Sequence, residues 1–366
     1  MPMVKLGEVA REYKETCKGD KGDLPIVGLE HLIPEDINLT CWSDDKENTF
    51  TKMFRKGHVL FGRRRAYLKK AAVAPFDGIC SGDITVIEAI EDKLYPGLLP
   101  FIIQNDALFD FAVGKSAGSL SPRVKWQHLQ DYEFFLPEMA KQKELAELLW
   151  AMDRTKQAYK QLISATDELV KSQFIEMFGS PFESSSFKSE PLKENATLIN
   201  GRAYKQEELL KSGKYPVLRV GNFFSNESWY YSDLELEQEK YCDNGDLLFA
   251  WSATFGPKIW DGGKVIYHYH IWKIIVGERY DKQFLCTLLE MASSLLINQT
   301  HGTTMLHLTK SGIESTSFIV PPLKVQKNFS SFIRQTDKSK FAIQLTGSNL
   351  NLSRCLEARL KVHLLN

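Results

Sequence analysis

Short apolar runs, separated by glycine, proline and aspartate, cover most of the chain and predict a series of short strands. The predicted strands of the first half are 24–32, 58–61, 71–74, 84–90 and 132–136. Those of the second half are 215–223, 246–250, 264–269, 271–276 and 317–320. One helix is predicted between the last strands of each half, over 98–111 and over 282–298. This order of elements indicates an α+β fold with mixed β-sheets and helices.

Two longer segments have the apolar spacing of helices. The first runs from 138 to 178 and is stopped by Gly179 and Pro181, and the second starts at Pro322, a residue suited to the first turn of a helix. Apolar positions three and four residues apart form a seam on each helix, which predicts an antiparallel coiled coil. The seam residues are Leu145, Leu148, Met152, Tyr159, Leu162 and Leu169 on the first helix, and Phe329, Phe332, Ile343 and Leu350 on the second. The alternative is that each helix packs only against its own domain.

An internal repeat relates the two halves. Segments 118–137 and 302–321 have the same length and similar ends at an offset of 184 residues, and the same offset carries Gln142 onto Gln326. Chance similarity between apolar strands is the alternative explanation. The repeat predicts a pseudo-twofold molecule with globular domains over 1–137 and 181–321, a central long helix over 138–180 and a C-terminal long helix over 322–366.

Composition narrows the class of protein. The 366 residues are 43% hydrophobic and 25% charged, which is sufficient for packed cores. The 46 basic and 46 acidic residues exclude a protein held to nucleic acid by bulk charge. The six cysteines are scattered and form no CxxC pair, which favours a reducing compartment. The sequence contains no run of 18 apolar residues, so no membrane-spanning helix is predicted. We therefore expect a cytoplasmic protein without membrane contact.

Charge is nevertheless concentrated locally. No acidic residue occurs over 48–76, and the basic part of this stretch follows a predicted strand. Arginine can form paired hydrogen bonds with guanine, whereas lysine mostly contacts phosphate, so this loop is a candidate double-stranded DNA contact. Its candidate residues are Arg63, Arg64, Arg65, Tyr67, Lys69 and Lys70. A solvated hairpin is the alternative.

The equivalent loop of the second half has aromatic and hydroxyl residues instead of arginines. Different loops on equivalent frames are typical of recognition surfaces, although this loop too can be a solvated hairpin. Its candidate DNA contacts are Trp251, Thr254 and Lys258. Further candidates in neighbouring segments are Ser119, Arg123, Arg219, Asn222, His301, Thr303 and His307.

Motifs for catalysis fail when tested. Lys115 and Ser116 resemble the end of a phosphate-binding loop. The first glycine of that motif would fall at position 109, which is occupied by Phe109, so the match fails. His268 and His270 share one strand face without a convincing third metal ligand, so no metal site is predicted. An enzyme alternative, a metal-dependent DNA nuclease, would use Asp77, Glu91 and Lys93, but this acid–acid–lysine pattern is short and degenerate. We expect no catalytic residues.

The duplicated pattern resembles the specificity subunit of Type I restriction–modification systems over essentially the whole chain. The segments that carry the resemblance are Val4-Lys5-Leu6-Gly7-Glu8-Val9-Ala10, Cys80-Ser81-Gly82-Asp83, Gly118-Ser119-Leu120-Ser121-Pro122, Phe135-Leu136-Pro137 and Ser172-Gln173-Phe174-Ile175-Glu176-Met177-Phe178-Gly179. The second half departs from this pattern, with Tyr269-His270-Ile271-Trp272 in place of Ser-Gly-Asp-Ile.

The resemblance implies a non-catalytic DNA-recognition subunit. Each globular domain would be a target-recognition domain that reads one half of a bipartite DNA site. The long helices would set the gap between the halves and dock two methyltransferase subunits, with restriction and translocation subunits joining through them. S-adenosylmethionine, ATP and Mg²⁺ would belong to those partners and no cofactor to this chain. Subunits of related bifunctional restriction enzymes, and a pure scaffold, remain open alternatives.

Overall fold

The computed structural model describes residues 2–298 and 309–348, except 20, 46, 185, 225–227 and 253–254, and does not describe the side chains of 294–298 and 341–348. The chain divides into two compact units. Unit 1 is built mainly from the residues up to Gln161, and unit 2 from Leu162–Ile343. The boundary lies inside one continuous helix, Met139–Phe178, which contributes to both units.

Unit 1 is a mixture of short strands and helices. Its strands are β1 (Met3–Lys5), β2 (Ala10–Glu12), β3 (Ile26–Val27), β4 (Lys52–Phe54), β5 (Val59–Gly62), β6 (Ala71–Val73), β7 (Gly78–Cys80), β8 (Ile84–Ala89) and β9 (Glu133–Phe135). Its α-helices are α1 (Leu6–Val9), α2 (Leu99–Ile103), α3 (Asp106–Gly114), α4 (Trp126–Leu129) and the first part of α5 (Met139–Phe178).

A four-stranded antiparallel sheet, in the order β2-β8-β5-β6, forms the centre of unit 1. A second sheet pairs β7 in parallel with β3 and antiparallel with β4, and β1 pairs with β9. Successive side chains of β5 enter different cores: Val59 and Phe61 pack with the helices, and Leu60 packs with the second sheet. Because both faces of β5 are covered, its sequence is a continuous apolar run instead of an alternating one.

Unit 2 repeats this arrangement with its own elements. Its strands are β10 (Ser189–Pro191), β11 (Ala196–Asn200), β12 (Tyr215–Leu218), β13 (Tyr230–Ser232), β14 (Tyr241–Cys242), β15 (Leu247–Ala250), β16 (Gly256–Ile259), β17 (Val265–Tyr267), β18 (Ile271–Val276) and β19 (Ser317–Ile319). Its α-helices are α6 (Val220–Phe224), α7 (Lys282–Asn298), α8 (Lys310–Ser315) and α9 (Leu323–Ser348), together with the last part of α5.

Strand pairing follows the same plan in both units. The main sheet of unit 2 has the order β11-β18-β15-β16, β12 and β17 are parallel, and β10 pairs with β19 as β1 does with β9. The register also agrees, since Val59 lies opposite Ile87 in unit 1 and Leu247 lies opposite Ile274 in unit 2. The internal repeat is therefore a repeat of topology, and the chance explanation is wrong.

Within unit 2, the last part of α5 and the start of α9 run antiparallel. The rings of Phe174 and Phe329 lie 5.7 Å apart, and Asp167 is paired with Lys340. As residue numbers rise along α5, those of their partners on α9 fall, as the sequence predicts. Both helices also pack on the core of unit 2, so helix pairing and packing on the domain occur together there.

The buried stripe of α5 differs from the predicted seam. Leu162 and Leu169 are 48% and 52% exposed, although both were assigned to the seam. The buried positions are Gln142, Leu145, Ala146, Leu149, Asp153, Phe174 and Phe178. On α9, Phe329 is buried and Phe332 is partly buried, as expected, and the side chains of Ile343 and Leu350 lie outside the description. These buried positions lie near the two ends of α5, where the helix packs on the core of each unit.

Several local predictions need correction. The single helix predicted over 98–111 is two helices, because Asn105 caps α3 by accepting a 2.8 Å hydrogen bond from the Ala107 amide. The strand predicted over 215–223 ends at Leu218 and continues as helix α6. Lys258, expected in a loop, lies in strand β16. Among the described helices, none has the length and apolarity needed to cross a membrane.

Candidate nucleic-acid interface

Two loops occupy equivalent places in the units, after β5 and after β15. The Arg63 amide donates to the Asp83 carbonyl at 3.0 Å, and the Trp251 amide donates to the His270 carbonyl at 3.0 Å. Arg63 is therefore equivalent to Trp251, and Asp83 is equivalent to His270. The sequence comparison that set Tyr269 against Ser81 is wrong by one residue. Periodicity could not reveal this, because register in a short turn is fixed by pairing with other segments.

The basic loop of unit 1 is held in a defined conformation. A single 3-10 turn, Ala66–Leu68, is bounded by Arg65 and Lys69, which have positive φ angles of 54° and 50°. Ala66 is buried, and the Arg65 amide donates to the Pro122 carbonyl at 2.8 Å. Tyr67 and Arg65 point into solvent from this anchored turn. Backbone contacts with a neighbouring segment thus hold this loop in place, and its contact with DNA stays a prediction.

Two arginines from different segments meet at Asp83. Arg123 donates to the carboxylate through Nε at 2.6 Å and Nη2 at 3.1 Å. Arg64 Nη1 lies 3.6 Å from the same carboxylate, and its Nη2 donates to Ser121 Oγ at 3.2 Å. The hydrogen bond from Arg123 holds the pKa of Asp83 below its ordinary value, despite partial burial. The predicted contacts Arg64 and Arg123 are therefore brought together by a residue that was not among the predicted contacts.

The two lysines of the basic loop face neighbouring structure. Lys69 Nζ lies 2.6 Å from Asp106 and 3.7 Å from Glu35, and the bond to Asp106 raises the pKa of the lysine. Lys70 Nζ donates to the Leu29 carbonyl at 2.7 Å. Both lysines therefore help to fix the loop. Ser119, by contrast, is exposed in the segment that leads to Ser121.

Arg63 and Arg64 also have unused donors. Among the described residues, their Nε atoms are buried and have no hydrogen-bond acceptor. A buried donor without an acceptor is costly, and only the exposed part of such a guanidinium, as in Arg64 at 39% exposure, can meet a base edge or phosphate oxygen. The arrangement suits a surface whose partner supplies oxygen or nitrogen acceptors.

In unit 2 the equivalent surface is aromatic. The Trp251 ring lies 4.9 Å from the His270 ring, edge to face, and its indole nitrogen donates to the Tyr269 carbonyl at 2.8 Å. A nearby cavity of about 220 Å³ is lined by Arg219, Val220, Gly221, Asn222, His268 and His270. Burial, and then the neighbouring charges of His270 and Arg219, lower the pKa of His268 to about 4, so this imidazole is neutral at physiological pH.

The other predicted contacts of unit 2 have varied surroundings. The exposed Arg219 guanidinium lies 5.2 Å from the Tyr230 ring centroid, and Asn222 donates to the Ser228 carbonyl at 2.8 Å. Lys258 pairs with Asp261 at 3.2 Å. The cavity thus gathers Arg219 and Asn222 beside the two histidines. Four predicted contacts, Thr254, His301, Thr303 and His307, lie outside the described residues.

The nuclease alternative receives no support. Asp77 accepts from Arg55 at 3.1 Å and from the Lys56 amide at 2.8 Å, and that amide bond holds its pKa below the ordinary value. The turn that contains Lys93 is held through its carbonyl by Gln142. In the part of the chain that the structure describes, no three His, Cys, Asp or Glu side chains are grouped to hold a metal ion.

A family model matches part of the chain. Residues 185–350 match the family model described as Type I restriction modification DNA specificity domain. A search of curated proteins finds no significant match.

Solved structures resemble the chain over nearly its full length. One is a structure from work on complex assembly and conformational transition of the type I R-M system, with 18% sequence identity and a TM-score of 0.54. The alignment covers 98% of this chain and 96% of the other chain. The S subunit of a Type I system from M. genitalium shares 11% identity, covers 98% and 94%, and has a TM-score of 0.56. The HsdS subunit from Thermoanaerobacter tengcongensis also matches, with 18% identity, 97% and 95% coverage and a TM-score of 0.41.

The first two of these structures establish the fold, and the family model covers most of unit 2. Unit 1, which the family model does not cover, has the same strand order and register as unit 2. Residues 185–350 thus match the Type I restriction modification DNA specificity domain, and the chain has the fold of these solved structures along nearly its full length.

Proposed function

We propose that each unit reads one half of a bipartite double-stranded DNA site. The observation that carries this proposal is the contrast between the two equivalent loops. One frame presents Arg63 followed by two further arginines, and the other presents Trp251 at the same position. Identical frames with different loop chemistry are suited to two different base sequences.

The long helices are proposed to set the distance between the two half-sites. Helix α5 is continuous from Met139 to Phe178 and contributes to both units, so it is the covalent connection between them. A helix of 40 residues is about 60 Å long at 1.5 Å per residue. This length is sufficient for a rigid spacer between two DNA-reading surfaces.

The same helices are proposed to dock two methyltransferase subunits, through which restriction subunits join. Leu162, Leu169 and Ile175 are exposed on α5, and exposed apolar side chains on one helix suit a protein partner. The partners would supply S-adenosylmethionine, ATP and Mg²⁺ and would perform all catalysis. We propose a cytoplasmic location, which suits six scattered cysteines with no CxxC pair.

An insertion experiment tests the spacer. Four residues added to each of α5 and α9 lengthen the helices by about 6 Å and rotate one end by about 40°. Since B-DNA has one base pair per 3.4 Å, both half-site sequences should persist while the preferred gap changes by one or two pairs, or binding is lost through the rotation. Sequencing of methylated sites in cells that carry the variant gives the answer. Altered half-site bases with an unchanged gap would show that the helices are not the spacer.

A further inference from the structure

We propose that Asp83 determines the sequence preference of unit 1 as a positioning residue, acting on DNA through Arg64 and Arg123. The inference rests on the proposed function, because it requires unit 1 to read DNA. The Asp83 side chain is a carboxylate, and phosphate groups repel it, so a direct favourable contact between Asp83 and the DNA backbone is not expected. Both of its carboxylate oxygens accept from Arg123, so we assign its effect to the direction that it imposes on the two guanidinium groups.

The geometry shows how this direction is imposed. Asp83 accepts two hydrogen bonds from one edge of Arg123, through Nε and Nη2, at 2.6 and 3.1 Å. A guanidinium group is planar and has five N–H donors, so fixing one edge orients the remaining donors. The side chains of Arg64 and Arg123 remain 39% and 42% exposed, so part of each can still meet a ligand. Prior fixation lowers the conformational entropy lost when such a side chain binds.

Three segments of unit 1 converge at this carboxylate. Asp83 belongs to the turn before β8, Arg64 to the loop after β5, and Arg123 to the segment before α4. The backbone holds the same segments together, because Arg64 and Arg123 form an antiparallel bridge and the Val124 amide donates to the Arg63 carbonyl at 3.0 Å. The two arginines are therefore neighbours by backbone pairing, and Asp83 sets only where their side chains point.

Unit 2 provides an independent comparison. The residue equivalent to Asp83 is His270, whose ring contacts Trp251 of the equivalent loop at 4.9 Å. The same turn position thus supports the loop in both units, and its chemistry changes with the loop: a carboxylate accompanies arginines, and an imidazole accompanies an aromatic ring. A position needed only for folding has no reason to vary together with the exposed loop.

The test uses the full chain and a pool of duplexes with random sequence. Wild type should select a bipartite site, and Asp83→Asn, which keeps shape and removes charge, should lose preference for one half-site by about 10-fold to 100-fold. The other half-site and the melting temperature should remain nearly unchanged, because Asn keeps the shape of Asp83 and the two arginines are 39% and 42% exposed. Arg123→Lys keeps the charge but lacks the planar fork, and it should affect the same half-site.

Glu88→Gln is the matched control. Glu88 lies near the other end of β8, its side chain is 21% exposed like that of Asp83, and it accepts from Arg11 Nε at 2.7 Å. This variant should retain both half-sites. Should Asp83→Asn fail to fold, Arg123→Lys decides alone.

Three results would overturn the inference: an unchanged preference in Asp83→Asn, an equal loss at both half-sites, or full preference in Arg123→Lys. Failure of the wild-type chain to select any sequence would instead overturn the proposed function, and the inference with it. The two failures are distinguishable because only the second involves the unmodified protein.

Discussion

Gln142 and Gln326 make the same three hydrogen bonds in the two units. The amide nitrogen of Gln142 donates to the Lys93 and Pro137 carbonyls at 3.2 and 2.9 Å, and its oxygen accepts from the Tyr95 amide at 2.8 Å. Gln326 repeats the pattern with its own unit: it donates to the Arg279 and Pro321 carbonyls at 2.9 and 2.6 Å and accepts from the Asp281 amide at 2.8 Å. Each buried glutamine thus fastens the start of a long helix to its globular domain.

Replacement of these glutamines by leucine should therefore destabilise the chain. Gln142→Leu leaves the Tyr95 amide and two carbonyls without their partner, and each unsatisfied buried group costs about 1–3 kcal/mol. We expect losses of at least about 2 kcal/mol in Gln142→Leu and in Gln326→Leu, measured by urea unfolding. Gln161→Leu, at an exposed position of the same helix, is the control and should change stability little. Equal effects at all three positions would contradict the fastening role.

The aromatic contact between α5 and α9 should contribute strongly to the stability of unit 2. Phe174 is fully buried and packs against Phe178, Phe284 and Phe329. Phe174→Ala is expected to cost about 3–5 kcal/mol, the usual range for a large buried aromatic side chain. Ile175→Ala, at a neighbouring position that is 56% exposed, should cost less than about 0.5 kcal/mol. Chemical unfolding followed by fluorescence compares the two, and similar losses would argue against the helix pairing.

Stability of unit 2 should depend on pH through His268. Burial lowers the pKa of its imidazole to about 4 in the folded chain, whereas the unfolded value is about 6.5. As pH falls from about 6.5 towards 4, the unfolded chain binds a proton that the folded chain does not, so stability decreases. Thermal melts at pH 7 and pH 5 should show a smaller decrease for His268→Gln than for wild type. The same decrease in both proteins would exclude this origin.

Arg65 should contribute to DNA affinity without contributing to sequence preference. It is exposed and has a positive φ angle of 54°, a conformation that asparagine tolerates, so Arg65→Asn removes charge without straining the turn. Loss of one phosphate contact should reduce the slope of log affinity against log salt by about 0.9. Lys143→Gln, at an exposed position of α5, is the control for the loss of a positive charge. An unchanged salt slope in Arg65→Asn would mean that the loop does not meet phosphate.

Some elements could be predicted almost residue by residue. The helix Lys282–Asn298 and the strand Ile271–Val276 have their predicted bounds, and α5 begins one residue later than expected. These segments are long or strongly apolar, and their ends carry local stop signals. Local sequence decides such elements because their hydrogen bonds and periodicity depend on neighbours along the chain.

The candidate surface could be predicted only in part. The basic loop is evident from charge, and Arg123 is among the further candidate contacts. The role of Asp83 is not readable from the sequence, although its turn carries part of the family resemblance. The sequence around an acidic residue in a turn does not indicate which basic residues will pair with it. The partners of Asp83 come from loops about 20 and 40 residues away in sequence. The exposure of Leu162 could not be predicted from the sequence either, because the face that a helix buries depends on what packs against it.

By itself the sequence determined the duplication, the long helices and the difference in chemistry between the two loops, since each is a local pattern of residue types. Tertiary structure alone decided that β5 lies between β6 and β8, that Asp83 is equivalent to His270, and that Arg64 and Arg123 share one carboxylate. The physical reason is that strand partners and ion pairs are chosen by contacts between segments far apart in sequence, where many pairings satisfy the same apolar pattern and packing selects one.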